Sequence, residues 1–124
     1  MTHLSKLLLT VLVFSVFPVG CGIYSSGAEA NRAKVKHDLT SIFYAAQQGY
    51  ATTGAYPESI EDLINPVDDN GNALPGLDDY PKDPWGNDYV YEMVDGHPVA
   101  SCLGRDNAAG GEGEDADVQY PAAE

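Results

Sequence analysis

Positive charge is scarce in this chain: six Lys and Arg stand against nineteen Asp and Glu, a formal net charge of −13. Seventeen of the acidic residues lie from Glu58 onward, opposed there only by Lys82 and Arg105. A protein that binds nucleic acid through its phosphates needs the opposite balance, so that activity is excluded as the main one. Cysteine is also scarce, and Cys21 and Cys102 alone cannot define a disulfide framework. Tryptophan occurs once, at Trp85. The apolar core Leu7 to Phe17 is too short for an ordinary transmembrane helix. Nothing in the chain pairs a nucleophile with a base above a concave apolar site. Acidic side chains could act as acid and base, but an enzyme with a small-molecule substrate is not expected. The 124 residues fit one small domain.

What is present begins with a targeting pattern. Residues 1–20 carry a basic start at Lys6, the apolar core and small residues before Cys21, which read as a signal or anchor segment. Val19-Gly20-Cys21-Gly22 resembles a bacterial lipoprotein cleavage site, with Cys21 as the acylated residue, although Pro18 stands where leucine is usual. An uncleaved anchor and an ordinary cleaved signal are the alternatives. Residues 21–27 then form a short Ser/Gly tether and residues 28–124 the folded head. Cys102, without a partner, is expected as a buried, inert thiol.

Within the head, Val35, Leu39, Ile42, Phe43, Ala46 and Tyr50 recur every three or four residues, predicting an amphipathic helix over about 28–52. Gly54 closes it and Pro57 prevents its resumption. His37 lacks a second ligand on its face and reads as solvated. A short second helix is expected from Pro57 to Ile64, capped by Ser59. In the polar connection Val67 to Asp79, Asp68, Asn70 and Asn72 have EF-hand spacing. Ala73 takes the place of the required glycine, and Pro75 and Pro81 forbid the flanking helix, so this is a surface loop. Pro81 to Asn87 is a run of turn-formers around Trp85, expected as a rigid bend pinned by a buried indole. Tyr89–Met93 and Pro98–Leu103 flank Asp95-Gly96 as a β-hairpin. The hairpin needs the helix laid across one face, which makes the fold α+β.

The hairpin leads into Leu103 to Asp117, LGRDNAAGGEGEDAD, with five carboxylates, four glycines and one cation, Arg105. Such a stretch has no apolar face and remains a solvated, disordered tail unless something neutralises it. Ca2+ would do so, since it takes six to eight oxygens in flexible geometry. The loop contains neither His nor Cys, which argues against zinc or copper. Alternation in extended chain puts Asp115 and Asp117 on one side and Glu112 and Glu114 on the other. Asp106, Asp115 and Asp117 are therefore the candidate ligands, and the two glutamates are expected to be solvated.

The run Tyr80 to Tyr91 (YPKDPWGNDYVY), followed by Leu103-Gly104-Arg105-Asp106 and Gly110 to Asp117 (GGEGEDAD), closely resembles the major pseudopilins of type II secretion systems, the G-type subunits. The resemblance reaches back through Gly54-Ala55-Tyr56-Pro57 and covers most of the chain after residue 30. It implies a long N-terminal helix on a small antiparallel sheet and a C-terminal loop ordered by calcium. Aspartates matching Asp106, Asp115 and Asp117 would supply or support coordination, joined by the carbonyls of Leu103 and of Ala108 or Ala109. It also implies assembly with other pseudopilins or secretion-system subunits in the cell envelope, held to a membrane through the N-terminus and facing the periplasm or exterior. One stretch departs from the family pattern. Cys21 to Ser26 (CGIYSS) stands where a prepilin carries a Gly-Phe-Thr-Leu-Ile-Glu-like motif, and the apolar run precedes this point. A second reading follows: a membrane-tethered lipoprotein that re-uses the pseudopilin head as a calcium-stabilised binding or accessory module.

Overall fold

A computed structural model of the chain describes residues 21–123, with side chains from residue 27. The signal or anchor segment and the side chain of Cys21 lie outside what is described. Helix α1 spans Cys21–Thr53, and strands β1 (Val90–Val94), β2 (His97–Cys102) and β3 (Val118–Tyr120) follow. Single 3-10 turns occupy Glu61–Leu63 and Gly113–Asp115. The stretch expected as a tether is helical backbone. Residues 21–27 contain no proline, and their two glycines, Gly22 and Gly27, each cost a helix only about 1 kcal/mol. At the other end the N–H of Gly54 donates to the Tyr50 carbonyl at 2.8 Å, with φ of 79°, and the left-handed glycine ends the helix as expected.

The sheet is antiparallel throughout, ordered β1-β2-β3. Val90 lies opposite Ser101 and Val94 opposite His97, while Cys102 lies opposite Val118. Asp95 and Gly96 both have positive φ, 50° and 79°, the mark of a type I′ hairpin turn whose twist suits the strands. Along β2 the buried residues Pro98, Ala100 and Cys102 alternate, and α1 packs against β2 and β3. Val35, Leu39, Ile42 and Ala46 supply the helix side of the core, joined by Ala45. Helix on antiparallel sheet is the α+β architecture expected.

Four local expectations change. Tyr50 is 46% exposed instead of entering the core, and it stacks on Tyr56 with ring centroids 4.4 Å apart. The second helix shrinks to the 3-10 turn: Pro57 and Pro66 bracket too few residues for an α-helical nucleus. Ser59 still meets Asp62, with Oγ donating to Oδ2 at 2.9 Å, and Ile60 and Leu63 enter the core. Strand β3, only three residues long, follows the acidic loop and had no periodic signal of its own. Trp85 is half-buried rather than enclosed, and a different residue pins its bend.

That residue is Asp83, the buried charged side chain among the described residues, 4% exposed. Its Oδ1 accepts the N–H groups of Trp85 (3.0 Å) and Asn87 (2.8 Å). Its main chain is tied to the same turn, with Asp83 N–H donating to the Asn87 carbonyl at 2.9 Å and Gly86 N–H to the Asp83 carbonyl at 3.0 Å. The Cys102 thiol donates to Oδ2 at 3.5 Å, linking the bend to the end of β2, from which the acidic loop departs.

Candidate functional site

The acidic loop is built between two strand ends. It leaves β2 at Leu103 and returns at β3, so pairing of Cys102 with Val118 holds its base closed. Main-chain bonds then fold it on itself: Arg105 N–H donates to the Glu114 carbonyl at 2.8 Å and Asn107 N–H to the Gly104 carbonyl at 3.1 Å. Gly104 and Gly111 sit at φ of 82° and 94°, and at each a Cβ would come within 2.6 Å of the Asp115 carbonyl oxygen. Glycine is required at both on steric and conformational grounds.

The three candidate aspartates do different things. Asp106 is exposed and its Oδ1 accepts the Ala108 N–H at 3.2 Å. Asp117 is exposed and its Oδ2 accepts the Gly110 N–H at 3.0 Å. These two therefore hold opposite sides of the 108–110 turn, where Ala108 is exposed at the crest. Leu103 is half-buried at the loop's entry. Asp115 is half-buried, and Arg105 grips it with both arms of the fork: Nε to Oδ1 at 3.0 Å and Nη2 to Oδ2 at 3.1 Å. The carboxylate beside it raises the guanidinium pKa further. Among the described residues no three His, Cys, Asp or Glu side chains converge to hold a metal ion.

Glu114, expected in solvent, is half-buried instead. Its Oε1 accepts the Asn31 amide of α1 at 2.8 Å, and its Oε2 lies 3.6 Å from Arg105 Nη1. Strand alternation failed here because a 3-10 turn, not extended chain, carries residues 113–115. Glu112 is exposed. The donor chemistry of a hard cation is thus present at Asp106 and Asp117, both with one carboxylate oxygen free of these bonds, while Arg105 holds Asp115.

Elsewhere the side chains singled out from sequence are not chemically poised. The His37 side chain is 78% exposed on α1. Asp68, with EF-hand spacing to Asn70 and Asn72, is occupied by them: Oδ1 accepts both backbone N–H groups at 2.8 Å, and Oδ2 accepts the Asn72 amide. These bonds, that from the Asn72 side chain first, lower its pKa. Cys102 is free and buried, and burial pushes its thiol pKa up, away from the reactive thiolate.

A family model described as type II secretion system protein G matches residues 23–121. Among solved structures, the major pseudopilin from the type 2 secretion system of enterohaemorrhagic Escherichia coli is similar, with a TM-score of 0.58 and 20% identity. The match covers 80% of this chain and 93% of that one. A comparison with curated proteins found no significant match. At 20% identity the solved structure speaks for the fold. The family match spans helix, bend, hairpin and acidic loop alike, and the chain belongs to the type II secretion system protein G family.

Proposed function

We propose that this chain is a pseudopilin-like structural subunit of a type II secretion system, with a head stabilised by calcium in its C-terminal loop. The observation that carries the reading is the family match over residues 23–121, which includes the loop. The partners are other pseudopilins or secretion-system subunits, and the place is the cell envelope, with the head facing the periplasm or exterior. The subunit acts by occupying a position in an assembly, and no bond chemistry is assigned to it. Deleting its gene in the host is expected to stop release of secreted cargo; undiminished release would contradict the proposal.

In the calcium loop the ligands are Asp106 and Asp117 with the carbonyls of Leu103 and Ala108, and Asp115 joins by releasing Arg105. The bound ion would neutralise carboxylates that otherwise repel. Two features support this: Asp106 and Asp117 organise the same 108–110 turn, and the glycine-pinched loop closes on the Asp115 backbone.

Attachment to the membrane runs through the N-terminus. Among the described residues no helix is long and apolar enough to cross a membrane. The Val19-Gly20-Cys21-Gly22 run favours a second reading, a lipoprotein carrying this head as a binding or accessory module. Mass spectrometry of the mature N-terminus separates the two. A diacylglyceryl Cys21 means the lipoprotein; an unmodified end ahead of an intact apolar segment means the anchored subunit.

A further inference from the structure

We infer that Arg105 is a resident counter-ion of the acidic loop. It orders the loop when no metal is bound and sets the loop's divalent-ion affinity by competing for Asp115; the competing half rests on the calcium reading above. Three observations converge on this residue. It is the sole Lys or Arg in the stretch 103–117, among five carboxylates. Its guanidinium uses both oxygens of Asp115, at 3.0 and 3.1 Å, in the bidentate geometry that matches a planar fork to a carboxylate. Its own N–H donates to the Glu114 carbonyl at 2.8 Å while Nη1 lies 3.6 Å from Glu114 Oε2. Main chain and side chain of one residue therefore clamp the 113–115 turn.

The clamp is relayed to the rest of the head. Glu114 Oε1 accepts the Asn31 amide, so Arg105, Glu114 and α1 form a chain of contacts. Ion and guanidinium compete at Asp115: the fork takes one lone pair on each oxygen, and a dication placed there is repelled by the guanidinium charge beside it. The Arg105 side chain is 55% exposed, so water and salt screen the pair, which is weak enough for a divalent ion to displace. Residue 105 thereby tunes the loop between self-neutralised and ion-filled forms.

The test uses the full chain and its Arg105→Ala variant, with hydrogen exchange in EGTA and in millimolar calcium chloride and a calorimetric calcium titration. In EGTA, the amides of Arg105 and Asp115 are expected to be protected in the wild type and to exchange about two- to fivefold faster in Arg105→Ala. Calcium is expected to restore their protection and to bind the variant about two- to fivefold more tightly. Unchanged exchange in EGTA would overturn the ordering role, and unchanged affinity the competing role. Absence of calcium binding in both proteins would sink the calcium reading and the competition, while exchange in EGTA still decides the ordering role. Arg105→Lys keeps the charge without the fork and is expected to fall between the two. It also replaces Arg105→Ala as the test variant should the latter lose its helical circular dichroism.

Discussion

Asp83→Ala perturbs the head at one atom cluster whose contribution follows from the structure. The carboxylate is 4% exposed and accepts two main-chain N–H groups at 3.0 and 2.8 Å. Hydrogen bonds to a charged group contribute about 1.5–3 kcal/mol each, and an unpaired donor in a poorly solvated turn costs about 1–3 kcal/mol. Because a charge taken out of water already carries a desolvation cost, the net effect is less than the sum of the two bonds. The expected loss is about 3–4 kcal/mol, a large part of the stability of a domain this size. Asp83→Asn keeps the shape and one carbonyl acceptor and should lose about half as much. Urea unfolding followed by circular dichroism measures both, with the midpoint shifting and the slope unchanged. Because the Cys102 thiol also donates to Asp83, at 3.5 Å, the alanine variant should also label faster at Cys102 with a thiol reagent. A loss under about 1 kcal/mol with unchanged labelling would refute the claim that Asp83 pins the bend to β2.

Three further outcomes follow from the same reasoning. Ile42→Ala removes a fully buried side chain between helix and sheet and is expected to cost about 2–5 kcal/mol by chemical denaturation. Gly104→Ala forces a Cβ to within 2.6 Å of the Asp115 backbone at φ of 82°, and is expected to cost more than about 2 kcal/mol, with faster exchange of the loop amides. High pH should destabilise the head through its tyrosines. The Tyr91 hydroxyl donates to the Pro57 carbonyl at 2.6 Å, and burial pushes its pKa up to about 12 from the ordinary 10.0. Burial, then its bond to Asp38, also raises Tyr89. A folded chain that keeps these protons longer than the unfolded one is fully supported by them below about pH 10 and loses that support as pH rises through about 12. Tyr91→Phe should flatten that fall in an alkaline melting series.

The long helix and the hairpin were legible because each rests on a local pattern: period-3.6 burial from Val35 to Ala46, and Asp95-Gly96 between strand-formers. The family-carrying motifs were legible for the same reason, being contiguous. What was not legible depends on partners distant in sequence. Strand β3 exists because β2 is there to pair with it. Asp83 looks like one turn-former among several until Cys102 packs on it, and its position two residues before Trp85 was the available hint. Glu114 is drawn from solvent by Asn31, 83 residues earlier in the chain. In the loop itself, composition indicated carboxylates with something to neutralise them. That Arg105 takes Asp115 depended on a turn that brings together residues ten apart.

The central claim, that the C-terminal loop is a calcium-binding element of the head, is tested most directly by melting the chain in EGTA and in calcium, beside Asp117→Ala and Glu112→Ala. Extracellular calcium modules bind at roughly 10^-4 to 10^-3 M. Free calcium about tenfold above the dissociation constant would then add about 1.4 kcal/mol, or about 5–10 °C in melting temperature for a head of this size. The wild type and Glu112→Ala are expected to show that rise, and Asp117→Ala to lose it. Identical melting of the wild type with and without the ion, or an equal loss in both variants, would contradict the account.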